Sequence, residues 1–323
     1  ALKGAAKPRI HVFIATSPLH RAAKLNMTRE QVLDAAVRSV RLARSLCADV
    51  EFSCEDATRT ETDFLLEVCK AAVEAGATTI NIPDTVGYAT VDEYGGLIEA
   101  ICREVAGERD IVISTHCHND LGLATATTLE AIRRGARQVE CTINGLGERA
   151  GNASLDEIVM GLRTRRDIYG LKDNLNIREL YRLSRLAAGL SGMEIPPNKA
   201  VVGANAFVHQ SGIHQHGVLR ERATYEIMKP EELGIPQGGV VLGKLSGRHA
   251  LREHAQELGF ELTERELDRA FEKFKELADR KKDITERDVM AICREQVRGS
   301  HGLYRIHSFQ IFSGNRMTAT ATV

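Results

Sequence analysis

Short apolar runs alternate with longer amphipathic ones through the first half of the chain. A β-rich run, RIHVFIATS, begins at Arg9, and an amphipathic stretch from Thr28 to Cys47 follows it. The same rhythm returns four times. The strands DVEFS, TTINIP, DIVIST and QVECTI are followed by helical periodicity over Glu61 to Glu74, Val91 to Val105, Leu123 to Arg134 and Leu155 to Arg166. Thr28, followed by an acid two residues on, reads as a helix N-cap. Each strand reads as short and apolar, the pattern expected where both faces of a sheet are covered. Five βα units in a row predict a parallel sheet with right-handed crossovers.

The polar, chemically capable residues fall at the C-terminal end of every strand: Thr16 and Ser17, Glu51 to Asp56, Asp84 and Thr85, His116 and His118, and Asn144 to Asn152. A doubly wound sheet gathers its ligand at one switch point. A (β/α)8 TIM barrel gathers residues from many strand ends around one mouth. The spread over five strands favours the barrel. Beyond about residue 170 the rhythm stops. Residues 176–190 read as one helix, and 193–240 are rich in Gly, Pro, Asn and His. Residues 247–296 read as a charged helical pair with Thr263 and Thr285 as N-caps, and the last twenty residues regain strand character. The expected domains are the C-terminal part of a barrel over 1–192, an accessory subdomain over 193–240 and a helical one over 241–297. The start of an α+β regulatory domain follows over 298–323. The run EKFKELADRKKD alternates acids with bases and reads as a solvated helix face.

Composition narrows the function classes. Among 323 residues, 43 Lys and Arg against 44 Asp and Glu give a net charge of -1, which draws in neither nucleic acid nor anionic lipid. No apolar stretch approaches a membrane span, and no signal peptide is visible. The seven cysteines are scattered and form no C-x-x-C pair. That argues against a disulfide framework or structural zinc and for a reducing, cytoplasmic setting.

The stretch ISTHCHNDLG carries the sharpest chemical signal. On a strand, residues i and i+2 point the same way, so His116 and His118 can both aim into a barrel mouth and grip one divalent ion. Such an ion, with open positions, can chelate a 2-oxo acid and polarise its ketone. The alternative is a polar pair hydrogen-bonded at a strand end.

Five stretches carry a resemblance: HCHNDLG, NIPDTVGYAT, EFSCEDATRTE, TINGLGERAGNASL and NKAVVGANAFVHQSGIHQHG. Together they closely resemble the isopropylmalate synthase family, metal-dependent barrel enzymes among the Claisen-type synthases and lyases. The resemblance implies condensation of acetyl-CoA with 2-oxoisovalerate (3-methyl-2-oxobutanoate) to 2-isopropylmalate in leucine biosynthesis, by a homodimeric acyltransferase. Sister synthases making homocitrate or citramalate, a lyase of the same superfamily, and a non-catalytic fragment are the rival readings. His116 and His118 match the family's metal ligands, and Asn152 matches a residue close to the metal. Glu148 resembles a group that orients the ligands; the alternative is a loop salt bridge. Glu55 matches a carboxylate near the substrate, or else forms a rim ion pair. Thr85 matches a hydroxyl that bonds the oxo acid's carboxylate, or else caps a turn. His214 resembles a histidine inserted by the partner subunit, or else packs within the accessory region. Glu55 and His214 are the candidates for general base. His20 and Ser17 are weaker pocket candidates. The metal would be manganese by resemblance, with zinc or magnesium compatible with N/O ligation.

Two departures stand out. The family follows GIHQ with an aspartate, where this chain has His216. The family's barrel also opens with a strand bearing DTTLRDG, whose aspartate is a metal ligand and whose arginine stabilises the enolate; no such segment occurs here. The match begins at the fourth strand, so the five strands are expected to be the fourth to the eighth. The rest of the barrel and most of the regulatory domain would then lie outside this sequence or on another chain.

Overall fold

The computed structural model describes residues 2–107, 110–207, 220–235, 247–280, 284, 286–297, 310–314 and 317–322. The chain divides into two compact units, residues 1–237 and 238–323. In the first, β1 (Ile10–Ala15), β2 (Val50–Glu55), β3 (Thr79–Asp84), β4 (Val112–Cys117) and β5 (Gln138–Glu140) pair in parallel, in sequence order. The crossover helices are α1 (Arg29–Leu46), α2 (Thr62–Ala75), α3 (Val91–Ile101) and α4 (Ala124–Arg133). After β5 come α5 (Leu155–Thr164) and α6 (Leu180–Ser191). Among the described residues no helix is long and apolar enough to cross a membrane.

Local chemistry explains the boundaries. Thr28 caps α1 by accepting from the Gln31 amide, while the Gln31 side chain accepts from the Thr28 amide. The acid expected beside this cap, Glu30, is therefore not the reciprocal partner; the residue at the third helical position is. α2 ends at Gly76, whose φ of +115° ordinary side chains resist. The helix expected over 176–190 begins instead with a 3-10 turn, Ile177–Glu179, whose start Asn176 caps.

The strands depart from the expected apolar run. Each alternates, with the helix-covered face mainly apolar and the other largely polar, Phe13, Ala15 and Pro83 being among its exceptions. Val50, Phe52 and Cys54, Ile80 and Ile82, and Ile113 and Cys117 are buried in one core with Val40, Leu65, Val68, Ile98 and Ala131 of the helices. The opposite, inner face carries His11, Glu51, Ser53, Asn81, Ser114, His116, Gln138 and Glu140 by period-2 alternation. The ladders join them in register: Ser53 opposite Asn81, Asn81 opposite Ser114, Ser114 opposite Gln138 and His116 opposite Glu140.

This inner face is concave. Four strand spacings separate β1 from β5, about 19 Å if the sheet were flat. Yet Arg9, at the foot of β1, donates to Gln138 of β5 as well as to Asp49 and Glu51. Gln138 in turn donates to Glu51 Oε1 at 2.8 Å and to Ser114 Oγ at 3.0 Å. The sheet must roll for these side chains to meet.

In the second unit, α7 (Arg248–Glu257), α8 (Glu264–Arg280) and α9 (Glu286–Val297) pack around Leu251, Leu267, Phe274 and Val289. Three helices form where the pattern suggested two, because Gly259, at φ +84°, breaks the first from the second. Thr263 and Glu266 form the expected cap of α8; Thr285 lies outside the described residues. An antiparallel hairpin of β6 (Gln310–Gly314) and β7 (Met317–Thr322) follows.

The core should respond asymmetrically to truncation. Ile82→Ala, at a fully buried position, should cost ~2–5 kcal/mol. Leu46→Ala, where the side chain is 73% exposed, should change stability by less than ~0.5 kcal/mol. Urea unfolding of the two variants measures both, and similar losses would mean that the helix-covered face is misassigned.

Candidate active site

β4 delivers the two histidines together. His116 lies on the inner face, and His118 continues past the strand to pair with Asn152 in an antiparallel bridge. Their Nε2 atoms face each other at 3.1 Å, and the ring planes meet at 66°. The loop after β5 folds back over this strand end: Asn119 N donates to Gly151 O and Ala153 N to Cys117 O. Gly151 permits the fold. Its φ is +90°, and a Cβ there would sit 2.0 Å from the Gly145 carbonyl oxygen. Asn152 donates to the Leu146 carbonyl at 2.9 Å, while its buried Oδ1 has no hydrogen-bond partner among the described residues.

These atoms fit a divalent ion. Bonds of about 2.1 Å at roughly a right angle place two ligand atoms about 3 Å apart, the separation of the two Nε2 atoms. The unpartnered Asn152 oxygen supplies a further donor. Burial, and then the nearby His116 and Arg149, push the His118 pKa down. The ring is therefore neutral near pH 7, as a metal ligand must be. Two imidazoles suit manganese or zinc better than magnesium or calcium.

Below them lies a second donor set that the sequence reading passed over. Ligand atoms of His11, Glu51 and Glu140 all lie within 4.8 Å of one another. These groups already have partners. His11 Nε2 is 2.6 Å from Ser53 Oγ, and Arg9 and Gln138 hold Glu51. Burial raises the Glu51 pKa, and the hydrogen bond shared with Glu140 raises it further. Burial pushes Glu140 up as well, but the nearby His116 imidazole and the bond shared with Glu51 outweigh it and hold that carboxyl below its usual range. Period-2 polar positions in RIHVF, VEFSCE and QVE were the signal that could have found this row.

The other expected residues are spread around the rim. Glu55 accepts from Lys24 Nζ at 2.6 Å, with His20 Nδ1 3.9 Å away, so a rim ion pair is present. Thr85 Oγ1 accepts from the Asp56 amide at 2.9 Å, which leaves its own proton free to donate. Glu148 is exposed and pairs with Arg149 at 3.4 Å. Arg149 grips Asp120 through both carboxylate oxygens and the Thr85 carbonyl, tying three strand ends together. Ser17 is buried and caps the turn Pro18–His20. His214 and His216 lie outside the described residues. Beside Asn119 and Asn152 opens a cavity of about 350 Å³, walled also by Leu146, Met193 and Lys199.

The HMGL-like family model matches residues 1–187, more than half of the chain. The chain belongs to the HMGL-like family. A second model, homocitrate synthase post-HMGL domain-like, matches residues 201–282. Among relatives of this HMGL-like chain are 2-isopropylmalate synthases of Carboxydothermus hydrogenoformans, 56% identical over 323 residues, and Aquifex aeolicus, 54% identical over 326. Both alignments cover all of this chain, which spans 64% and 63% of the relatives' own lengths. Hydroxymethylglutaryl-CoA lyase of Pseudomonas aeruginosa shares the fold, with a TM-score of 0.51 at 19% identity. The superposition covers 60% of this chain and 65% of that one.

The rim has its own pH dependence. Arg21 binds both oxygens of Glu61, donates to the Thr16 carbonyl, and with Arg29 stacks on Phe64. The segment carrying His20 and Lys24 is thereby pinned to the start of α2. Hydrogen bonding from Arg21, joined by Arg29, lowers the Glu61 pKa to about 2. A depressed carboxyl pKa stabilises the fold fully above the unfolded value, and the contribution fades as pH falls through the folded value. Glu61→Gln should therefore melt below wild type at pH 6, with less than half of that free-energy difference left at pH 3. Melting curves that stay equally separated at both pH values would contradict an ionised pair.

Proposed function

We propose that this chain acts as a 2-isopropylmalate synthase, condensing acetyl-CoA with 2-oxoisovalerate to give 2-isopropylmalate and free CoA in leucine biosynthesis. The observation that carries the reading is the 3.1 Å approach of His116 Nε2 and His118 Nε2, with Asn152 bridged to His118 and its side-chain oxygen unpartnered among the described residues. The rolled five-strand sheet is read as part of a (β/α)8 barrel with this cluster at its mouth. Residues 193–240 and 241–297 are read as accessory subdomains, and 298–323 as the start of a regulatory domain.

His116, His118 and Asn152 would hold the ion, manganese by family resemblance. A divalent ion bound there polarises the oxo acid's ketone as a Lewis acid. Thr85, whose hydroxyl proton is free, donates to the substrate carboxylate. Phe13, 65% exposed on the inner face, offers apolar surface to a branched side chain. The carboxylate of Glu55 or the imidazole of His214 takes a proton from the acetyl methyl. Lys24 and His20 hold Glu55 at the rim for that role. Glu148 acts through Arg149, whose grip on Asp120 holds the loop after His118. The new carbon–carbon bond forms between the acetyl methyl and the ketone carbon, and water then cleaves the thioester to release CoA. The segment bearing His214 is proposed to reach the partner subunit's site in a homodimer.

The homocitrate-type match over residues 201–282 favours a second reading, condensation with 2-oxoglutarate. A panel of 2-oxoisovalerate, 2-oxoglutarate and pyruvate, followed by CoA release, separates the readings; kcat/KM should be highest for 2-oxoisovalerate.

Metal retention tests the site itself. His118→Ala should lose bound manganese and activity while keeping its melting profile, and full metal content by elemental analysis would sink the assignment. Sharing between subunits has a separate test. His116→Ala and His214→Ala proteins, each inactive, should regain part of the activity when subunits exchange, since one composite site then carries neither lesion. Exchange demonstrated by mass, with no activity restored, would rule the shared site out.

A further inference from the structure

Glu140 belongs to none of the motifs that carry the family resemblance as a functional residue, yet it is the nearest acid to a proposed metal ligand. It lies directly opposite His116 in the β4–β5 ladder, on the same inner face. Its Oε2 is 3.0 Å from His116 Nδ1, close enough for an ion pair though short of hydrogen-bond alignment. Among the described residues nothing else satisfies that ring nitrogen. The carboxylate is itself held: Asn81 Nδ2 donates to Oε2 at 3.2 Å, and to Ser53 Oγ at 2.9 Å. Asn81 is 2% exposed and sits on the neighbouring strand, β3.

An imidazole can turn about its side-chain bonds and can carry its proton on either nitrogen. A carboxylate beside Nδ1 removes both freedoms: it attracts the proton to Nδ1 and leaves the Nε2 lone pair free. Here Nε2 is the atom that faces His118. We propose that Glu140 is the positioning residue of this centre, fixing the His116 ring and tautomer for metal binding, with Asn81 fixing Glu140 in turn. The inference rests on the reading of His116 and His118 as ligands. It accounts for a buried Asn and a half-buried Glu and His held together across three strands, where packing alone asks only for volume.

The test is calorimetric titration of the full-length protein with Mn²⁺, with a melting curve for each variant. Glu140→Ala should bind Mn²⁺ about 10–100-fold more weakly. Glu140→Gln, which keeps an acceptor oxygen at the same reach, should lose less, and it also serves should the Ala variant fail to fold. Asn81→Ala should weaken binding in the same direction by a smaller factor. Gln138→Ala, which cuts the bonds of β5 to Glu51 and Ser114, should leave the affinity within about twofold. Equal weakening in Gln138→Ala would mean that loosening of β5, not the carboxylate, matters, and would overturn the proposal. His118→Ala separates the two levels of the argument. If it binds as wild type does, the ligand assignment fails. If it abolishes binding while both Glu140 variants keep the wild-type Kd, the ligands stand and the positioning role is wrong.

Discussion

The register of β4 between β3 and β5 is the constraint on which the site depends. A slip of one residue along either ladder would turn every side chain to the opposite face. His116 would then meet the helices, and Cys117 would face inward. The helix-covered face prevents this. Ile113 and Cys117 are locked in the core, and the fully buried Tyr94 of α3 hydrogen-bonds both the Ile82 carbonyl and Thr115 Oγ1. Chemistry on the inner face is thus indexed by packing on the outer one. The closeness of His116 to Glu140, and of Asn81 to Ser53, follows from that indexing without any special loop.

Beyond the strand ends, positioning passes to backbone hydrogen bonds. The chain from Leu146 to Gly151 forms no helix or strand, yet Gly151 and Ala153 stitch it to Asn119 and Cys117 of the β4 end. Arg149 adds the long-range tie, from its own loop to Asp120 and the Thr85 carbonyl. Arg149 holds a φ of +53°, a conformation a non-glycine residue adopts at a cost. The two carboxylate contacts and the carbonyl contact offset that cost. Three loops from three strands are thereby tied to one another.

Much of this was legible in the sequence, and for specific reasons. The βα rhythm, the cap at Thr28 and the convergence of His116 with His118 all rest on short-range periodicity, which one chain displays in full. Glu51 stands out in the sequence only as part of the polar strand end Glu51 to Asp56; the period of two that joins it to His11, Asn81 and Glu140 is visible in the same strands but gathers into one cluster only through the sheet's register. Nothing local marks Glu140 as a neighbour of His116, because that contact is made by the register of two strands and not by spacing along one. Pairings such as Lys24 with Glu55, or Arg149 with Asp120, lie 31 and 29 residues apart. They become readable only once the loops have been placed. In the second unit the cap at Thr263 is legible, and the additional helix lies ahead of it, ending at Glu257 just before Gly259.

The chemistry of the inner face also argues from what folding alone would select. Glu51, Ser53 and Asn81 are each at most 4% exposed. Burying polar and charged groups costs free energy unless each is bonded, and a well-packed apolar replacement is often as stable or more so. Valine or isoleucine at these positions would fill the same space with no need of Arg9 or Gln138 to compensate. Instead the row carries acids, amides and imidazoles that satisfy one another imperfectly: among the described residues Asn81 Oδ1, Asn152 Oδ1, His116 Nδ1 and His118 Nδ1 are left without hydrogen-bond partners, as are the Thr127 and Thr128 hydroxyls of α4 on the helix side. Groups already saturated by the protein have nothing left to offer a ligand, so the open atoms of the inner face and its rim are the ones available to one.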